Sequence, residues 1–440
     1  MKIVYLAAGA GGMYCGACLH DNTLAAALMN AGHDTLLVPT YTPIRTDEAD
    51  VSQSRVFFGG INVFLQQKSA LFRHTPWLFD ALLDSPALLR MVSKNSGSVD
   101  PTKLGDLTVS MLQGEHGRQK KELFKLIRWL KDEIKPDVVH VTNAILISLA
   151  GTIRRELGVP VVCGLAGEDV FLERLPEPWY TQSRDLLRQH ARDATAFVSM
   201  NRYYADYMID YMQLDPALVH VIPHGLNLTG HGTRRMGPQE TVHLGYFARI
   251  TPDKGLHHLV EAFRILCQDK SLPPLCLKAA GYLGSSDKPY LKELQRQLKK
   301  WGLADRFEYA GEPDRNEKIR FLQSLDVMSL PTVYHESKGL SVIEAWANAV
   351  PLVLPAHGTF PELVADTGGG AIFSPDTPAA LAEALKPFIL DFRHRDEAGL
   401  RGQQAVLDRY HAGHMARRTL DLYEQVLDRM ELSPGDRRGD

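Results

Sequence analysis

Short apolar runs recur along the chain. Each is followed by a polar or glycine-rich turn and then by a stretch whose apolar residues have helical spacing. The first run is Lys2-Ile3-Val4-Tyr5-Leu6. Its β-branched and aromatic residues show little alternation, as in a strand buried on both faces. Gly9, Gly11, Gly12 and Gly16 form the turn after it, a helical stretch follows from about Asp21 to Ala31, and Gly32 is placed to end it. Thr35-Leu36-Leu37-Val38-Pro39 is the next strand. The chain therefore opens with a βαβ unit that has a glycine-rich first turn.

The same alternation predicts strands at Pro136–Val141, Val159–Val162, Ala196–Ser199 and Val219–Ile222, with helices before each of the first three. The stretch Leu226–Thr241 holds Gly230, Gly232, Gly237 and Pro238 with few apolar residues, and reads as a linker. Beyond it strands are predicted at Val242–Phe247, Leu275–Ala279, Arg306–Tyr309, Asp326–Leu330 and Pro351–Leu354. Strands alternating with helices on both sides of a linker mean two parallel α/β domains. The expected division is an N-terminal domain over 1–228, a C-terminal domain over 229–411, a helix at about 412–430 joined to the first domain, and a polar tail over 431–440. Residues 57–117 interrupt the pattern and read as a helical insertion. Ligands of such sheets bind beyond the carboxyl ends of the strands, so a cleft between two facing sheets is the expected site.

Composition narrows the function. Of 440 residues, 45% are hydrophobic and 23% charged, which excludes a disordered, collagen-like or coiled-coil chain. The formal net charge of −3 gives no bulk field for nucleic acid, and none is expected as a partner. No apolar run reaches about 18 residues, and Ile3–Ala8 is too short for a signal peptide. Five cysteines make no disulfide framework. A cytoplasmic protein is expected, with the inner face of the membrane as a variant of that location.

Two segments carry chemistry. The first is His335-Glu336-Ser337-Lys338-Gly339-Leu340-Ser341-Val342-Ile343-Glu344, after the strand that ends near Leu330. A helix starting near Gly339 offers unpaired amides and a dipole that favours an anion, and glycine lets a phosphate approach. Glu344 lies roughly 7–8 Å further on at 1.5 Å per residue. Sugar hydroxyls at Glu336, a diphosphate at the helix start and ribose hydroxyls at Glu344 fit that layout. Two surface glutamates would leave the same letters. The second segment is Tyr246-Phe247-Ala248-Arg249-Ile250-Thr251-Pro252-Asp253-Lys254-Gly255. Arg249 and Lys254 are spaced to hold a diphosphate and to stabilise it as it leaves. A solvated basic loop is the alternative.

With these residues in order, the chain resembles the retaining GT-B glycosyltransferases, specifically glycosyltransferase family 4. The resemblance spans nearly the whole chain. It runs from the turn Gly11-Gly12-Met13 through Pro136-Asp137-Val138-Val139-His140 and Val221-Ile222-Pro223-His224-Gly225-Leu226-Asn227. It continues with Arg249, Lys254-Gly255, the Glu336/Glu344 pair and Pro361-Glu362-Leu363-Val364. It implies two Rossmann-like domains, a nucleotide-diphosphate sugar (UDP-, GDP- or ADP-linked) bound by the second domain and a carbohydrate, lipid or small-molecule acceptor bound by the first. It also implies retention at the anomeric carbon with no cofactor and no metal. Glu336, Arg249 and Lys254 would be catalytic. Gly12, Gly339, Leu340 and Glu344 would bind the donor, with the base near Tyr309 and Gly311.

Departures from the family accompany the match. Ala166-Gly167-Glu168-Asp169 stands where many relatives have His-Gly-x-Asp, so Glu168 and Asp169 are candidates for the polar work there or are acids at a helix start. Lys338 replaces a common Phe, either to face an acidic donor sugar or simply to face solvent. His224 and Asn227 replace a commoner Asn and Asp. Cys15-Gly16-Ala17-Cys18 sits in the glycine turn, where packing, acceptor contact by Cys15, and redox or metal chemistry are the readings. The basic amphipathic helix Gln119–Glu133 packs on the sheet or, if Trp129 is exposed, touches an anionic membrane peripherally.

The reading is a metal-independent retaining glycosyltransferase. Its rivals are a donor-binding protein without activity, a glucan-elongating enzyme like glycogen and starch synthases, a sugar-nucleotide epimerase and a glycan phosphorylase.

Overall fold

The structure, a computed structural model, describes residues 1–9, 16–53, 56–58, 63, 67 and 101–431. Gly12, Cys15 and most of the predicted insertion lie outside the described residues.

The chain forms two compact units, Met1–Pro223 with Ala412–Asp440, and His224–His411. The division falls at Pro223 rather than at 228. Leu226 explains the difference: its amide bonds the Tyr410 carbonyl at 2.8 Å and its side chain is buried in the second unit's core.

In the first unit, among the described residues, six parallel strands stand in the order β2-β1-β3-β4-β5-β6. They are β1 (Lys2–Ala7), β2 (Asp34–Pro39), β3 (Val138–Val141), β4 (Val161–Leu165), β5 (Ala196–Ser199) and β6 (Val219–Val221). The strands β1 to β5 are mostly buried, as continuous apolar runs require when helices cover both faces, and the edge strand β6 is half-buried. Helix α1 (Gly16–Asn30) packs on β1 and β2. The chain's last helix (Ala412–Glu431) packs on α1, where the Tyr423 hydroxyl meets His140 Nδ1 of β3 at 2.7 Å. Trp129 is 8% exposed and packs on Phe57 with ring centroids 4.9 Å apart, so the basic helix turns its tryptophan inward. Among the described residues no helix is long and apolar enough to cross a membrane.

The second unit repeats the design with the strand order β12-β11-β10-β7-β8-β9. Its strands are β7 (Val242–Phe247), β8 (Leu275–Ala280), β9 (Phe307–Tyr309), β10 (Val327–Ser329), β11 (Leu352–Pro355) and β12 (Gly370–Phe373). Sequence pattern did not mark β12 as a strand, since Gly370 and Ala371 carry little apolar surface. Two six-stranded parallel sheets with covering helices are the expected Rossmann-like α/β architecture. The order reverses between β7 and β10, and that switch point is where open α/β sheets bind ligands. A buried network ties the linker to this unit: Arg234 reaches Asp396 at 2.6 Å and Asp326 at 3.6 Å, and Arg395 donates to the Gly237 carbonyl.

Candidate active site

Both charged segments read from sequence emerge at that switch point. The chain leaves β7, passes Arg249 and makes a tight turn over Pro252–Lys254. Gly255 follows with φ +74°, and a Cβ there would stand 1.6 Å from the Pro331 carbonyl oxygen. Only glycine allows the loop after β7 to lie so close to the loop after β10, and the Val333 amide bonds the Asp253 carbonyl at 2.9 Å. This contact brings Lys254 to Glu336.

Glu336 is 7% exposed. One carboxylate oxygen receives the Lys254 ammonium at 2.6 Å and the Tyr334 hydroxyl at 2.8 Å. The other accepts the Lys338 amide at 3.2 Å. Its carbonyl accepts the Thr359 amide at 2.8 Å, and Gly358, at φ +63°, passes its backbone so closely that a Cβ would stand 2.6 Å away. Burial alone would raise this carboxyl. The Lys254 ammonium, with the Tyr334 hydroxyl and the Lys338 amide, outweighs burial and holds it at about 2. Lys254 is pulled below its ordinary value by burial, with Glu336 opposing and the nearby charges of Arg249 and Lys338 adding to the fall.

Helix α2 (Leu340–Ala347) starts at Gly339, whose φ of +71° makes it a left-handed cap. A Cβ at Gly339 would stand 2.4 Å from Leu363 Cδ1. No side chain caps this helix, and helix geometry leaves its first amides, Leu340 among them, without intrahelical acceptors. Glu344 lies one turn further, 3% exposed, with Lys318 Nζ 2.6 Å away. Neither glutamate is therefore a surface group. Sequence reasoning missed Lys318. The signal was present: Lys318, Phe321 and Leu322 share one face of a helix at i, i+3, i+4 spacing, and a lysine on an apolar face needs a buried partner.

Tyr309 and Gly311 sit on the other side of β7. The Tyr309 hydroxyl donates to the Gly281 carbonyl at 2.8 Å, and the Gly281 amide donates to the Gly311 carbonyl at 2.8 Å. Gly281 in turn lies against the backbone of Ala248, next to Arg249. Arg249 is exposed, and Lys338 is half-buried. His335 and His357 stack with centroids 4.9 Å apart beside Glu336, a feature the sequence did not show. His224 is buried at 2% exposure in this unit.

The first unit's candidates behave differently. Glu168 is buried, and its two oxygens accept the Ala144 amide at 2.9 Å and the Ala166 amide at 2.6 Å. Burial holds its carboxyl above the ordinary value despite those amides. It clamps the loop after β4. Asp169 accepts the Tyr204 hydroxyl at 2.7 Å. Beneath Ala166 lies a small cavity lined in part by Tyr5, His20, His140, Thr142 and Gly164. Burial, with His20 beside it, pulls His140 down to about 3, so its imidazole is neutral. Its Nε2 is buried without a hydrogen-bond partner.

The family model Glycosyltransferase Family 4 matches residues 107–229, and Glycosyl transferases group 1 matches residues 238–405, together well over half of the chain. Alpha-maltose-1-phosphate synthase of Mycolicibacterium smegmatis is 30% identical over 241 residues, 50% of this chain and 60% of that one. D-inositol 3-phosphate glycosyltransferase of Stackebrandtia nassauensis is 28% identical over 285 residues, 61% of each chain. The chain thus spans about three fifths of the length of these curated relatives. Sucrose-phosphate synthase from Thermosynechococcus elongatus superposes with a TM-score of 0.70 at 16% identity, covering 98% of this chain and all of that one. Anabaena HepE in complex with UDP gives 0.66 at 16% identity, covering 97% of this chain and all of that one. Resemblance at that identity concerns the fold. The chain belongs to the glycosyltransferases of the GT-B fold that resemble family 4.

Proposed function

We propose that the chain transfers a sugar, with retention and without a metal ion, from a nucleotide-diphosphate donor bound on residues 224–411. One observation carries the reading. At the switch point the Lys254 ammonium holds a buried carboxylate, Glu336, beside an uncapped helix start, and the charges of Arg249 and Lys338 are near enough to act on Lys254. A site with surplus positive charge and open amides suits a diphosphate, and protein cations there supply the charge stabilisation that a departing diphosphate needs. Glu336, held ionised, faces the sugar, where positive charge develops at the anomeric carbon. Glu344, paired with Lys318, binds the ribose hydroxyls in this reading. Tyr309 and Gly311 edge the place for the base.

In the transfer, an acceptor hydroxyl oxygen bonds to the anomeric carbon on the face that the diphosphate leaves. The bond from that carbon to the diphosphate oxygen breaks, and the acceptor's proton passes to the departing oxygen. No side chain is then needed as base, which accommodates Ala166. HepE crystallised with UDP and with UDP-glucose supports a uridine donor. The relatives named for inositol 3-phosphate and 2-deoxystreptamine make small polyols and sugar phosphates the first acceptors to screen.

The test is thermal-shift screening with UDP-, GDP- and ADP-sugars, because a bound ligand raises stability by mass action. Proton NMR of the first turnover product then reads the anomeric configuration. An inverted product would refute retention. A donor-binding protein without activity is the second reading, resting on Ala166, and the absence of any slow donor hydrolysis would favour it.

A further inference from the structure

A cluster of histidines around one carboxylate stands in the segments that follow β7, β10, β11 and β12. Asp376, after β12, faces two imidazoles with its two oxygens. Oδ2 lies 3.6 Å from His357 Nε2, in the loop after β11. Oδ1 lies 3.9 Å from His258 Nδ1, in the first turn of the helix Leu256–Gln268. Both gaps are longer than a hydrogen bond. Both nitrogens, and His357 Nδ1 as well, are buried without a hydrogen-bond partner among the described residues. The groups set against this trio are also titratable. His335, from the loop after β10, stacks on His357. The His257 ring meets His258 with centroids 4.3 Å apart, and its Nδ1 lies 3.0 Å from the Tyr290 hydroxyl. Glu336 follows His335 in its loop.

A buried imidazole nitrogen with no hydrogen bond is costly. A proton on His357 would give that ring a charge opposite to Asp376 and an N–H on each nitrogen. The 3.6 Å gap could then close to a charge-assisted bond. His257 and His258 stand at a helix start, where a cation is disfavoured, whereas His357 lies in a loop and has the shorter gap. Burial and the neighbouring His335 lower the His357 imidazole, with Asp376 and the Thr332 backbone opposing, so its proton is gained in mild acid. The loop carries the effect onward. His357 directly precedes Gly358, which lies against the Glu336 backbone, and Thr359, whose amide bonds the Glu336 carbonyl at 2.8 Å.

Resting on the reading of Glu336 as the carboxylate that faces the donor sugar, we infer that His258, Asp376 and His357 are positioning residues. One proton held between His357 and Asp376 braces the loop after β11, and with it Glu336, so that sugar transfer responds to mild acid. The proton can bias the loop by no more than the ion pair contributes, and Asp376 is 34% exposed, so the response is small.

Nitrogen-15 labelling of the histidine rings in the full chain reads protonation directly, and His357→Gln assigns the His357 signals. Asp376→Asn keeps the shape and removes the charge. It should weaken proton binding at His357 roughly fivefold, the scale of a partly exposed ion pair. Asp376→Glu, whose longer stem can cross the gap, should keep most of it. Slow hydrolysis of UDP-, GDP- or ADP-glucose gives the second readout. Wild-type kcat should rise up to about fivefold between about pH 7.5 and about pH 5.5 with little change in KM. Asp376→Asn and His357→Gln should flatten that limb, and Asp376→Glu should retain it.

Unchanged His357 titration in Asp376→Asn would overturn the inference, as would a wild-type pH profile in that variant. Donor hydrolysis with no limb in the wild-type chain would refute the inference alone. If none of the three nucleotide sugars binds or is hydrolysed, the donor reading itself fails and takes the inference with it. Unfolding temperatures of the variants show whether a flattened limb reflects a lost proton site or a lost fold.

Discussion

Lys254 Nζ stands 2.6 Å from Glu336 Oε2, and the two residues come from loops that follow different strands, β7 and β10, on either side of the sheet's reversal. The pair joins the parts of the candidate site and gives it a pH signature. The Glu336 carboxyl is held at about 2 against an ordinary 4.5. A depressed carboxyl contributes stability that is present above its unfolded-state value and is lost as pH falls toward its folded-state value. Wild-type unfolding free energy should therefore lose a component of roughly 3 kcal/mol between about pH 4.5 and pH 2. Denaturant unfolding across that window should show Glu336→Gln lacking the component. Equal pH slopes in the two proteins would count against the pair.

Two glycines with nearly the same backbone should respond differently to a methyl group. Gly302 has φ +71° with nothing within 4 Å of a new Cβ, whereas Gly255, at φ +74°, would drive its Cβ into the Pro331 carbonyl. Gly302→Ala should cost roughly 1–2 kcal/mol for the left-handed backbone alone. Gly255→Ala should cost more, beyond about 3 kcal/mol, or separate the two loops and abolish nucleotide binding. Thermal unfolding with and without the preferred nucleotide decides it, and equal costs at the two sites would refute the close approach.

The Lys318–Glu344 pair is buried on both sides, at 5% and 4% side-chain exposure. Lys318→Met removes the ammonium that meets a buried carboxylate and should destabilise the chain by about 3–5 kcal/mol. Adding Glu344→Gln should restore most of that stability while donor KM stays high, since the proposed contact of Glu344 with the ribose would remain lost. Recovery of both together would remove Glu344 from the donor site.

Arg249→Ala should separate function from folding. The exposed guanidinium holds no described residue in place, so the unfolding temperature should stay within about one degree of wild type, as for other surface substitutions. Turnover should nevertheless suffer, with kcat/KM down by about 10²–10³ if the side chain stabilises the departing diphosphate. Wild-type kinetics in this variant would remove Arg249 from the mechanism.

The legible parts of this protein were those written in consecutive residues. Apolar runs such as Val242–Phe247 marked the strands, and their alternation with helices marked the two sheets. Gly255 and Gly339 stood out because each follows a charged residue at a strand-to-helix turn. What escaped was contact between segments far apart in the chain. The Glu336 main chain is held by Gly358 and Thr359, and Glu344 is matched by Lys318 from another helix. Glu168 was a candidate for the polar work at Ala166 because of its place in the family pattern, with an acid at a helix start as the alternative. Its oxygens accept two backbone amides and the Tyr204 hydroxyl, contacts that no side-chain pattern reveals.

The return of the last helix to the first unit has a temporal side. Residues 224–411 form one uninterrupted stretch, so the second unit can close as soon as its own residues have left the ribosome. The first unit needs Tyr423 against His140, partners 283 positions apart. At about 5–20 residues per second, the helix that completes it emerges roughly 10–40 s after Pro223. During that interval the apolar surface of α1 and β1 that later receives the helix stands open, so the half of the protein begun first is the half finished last.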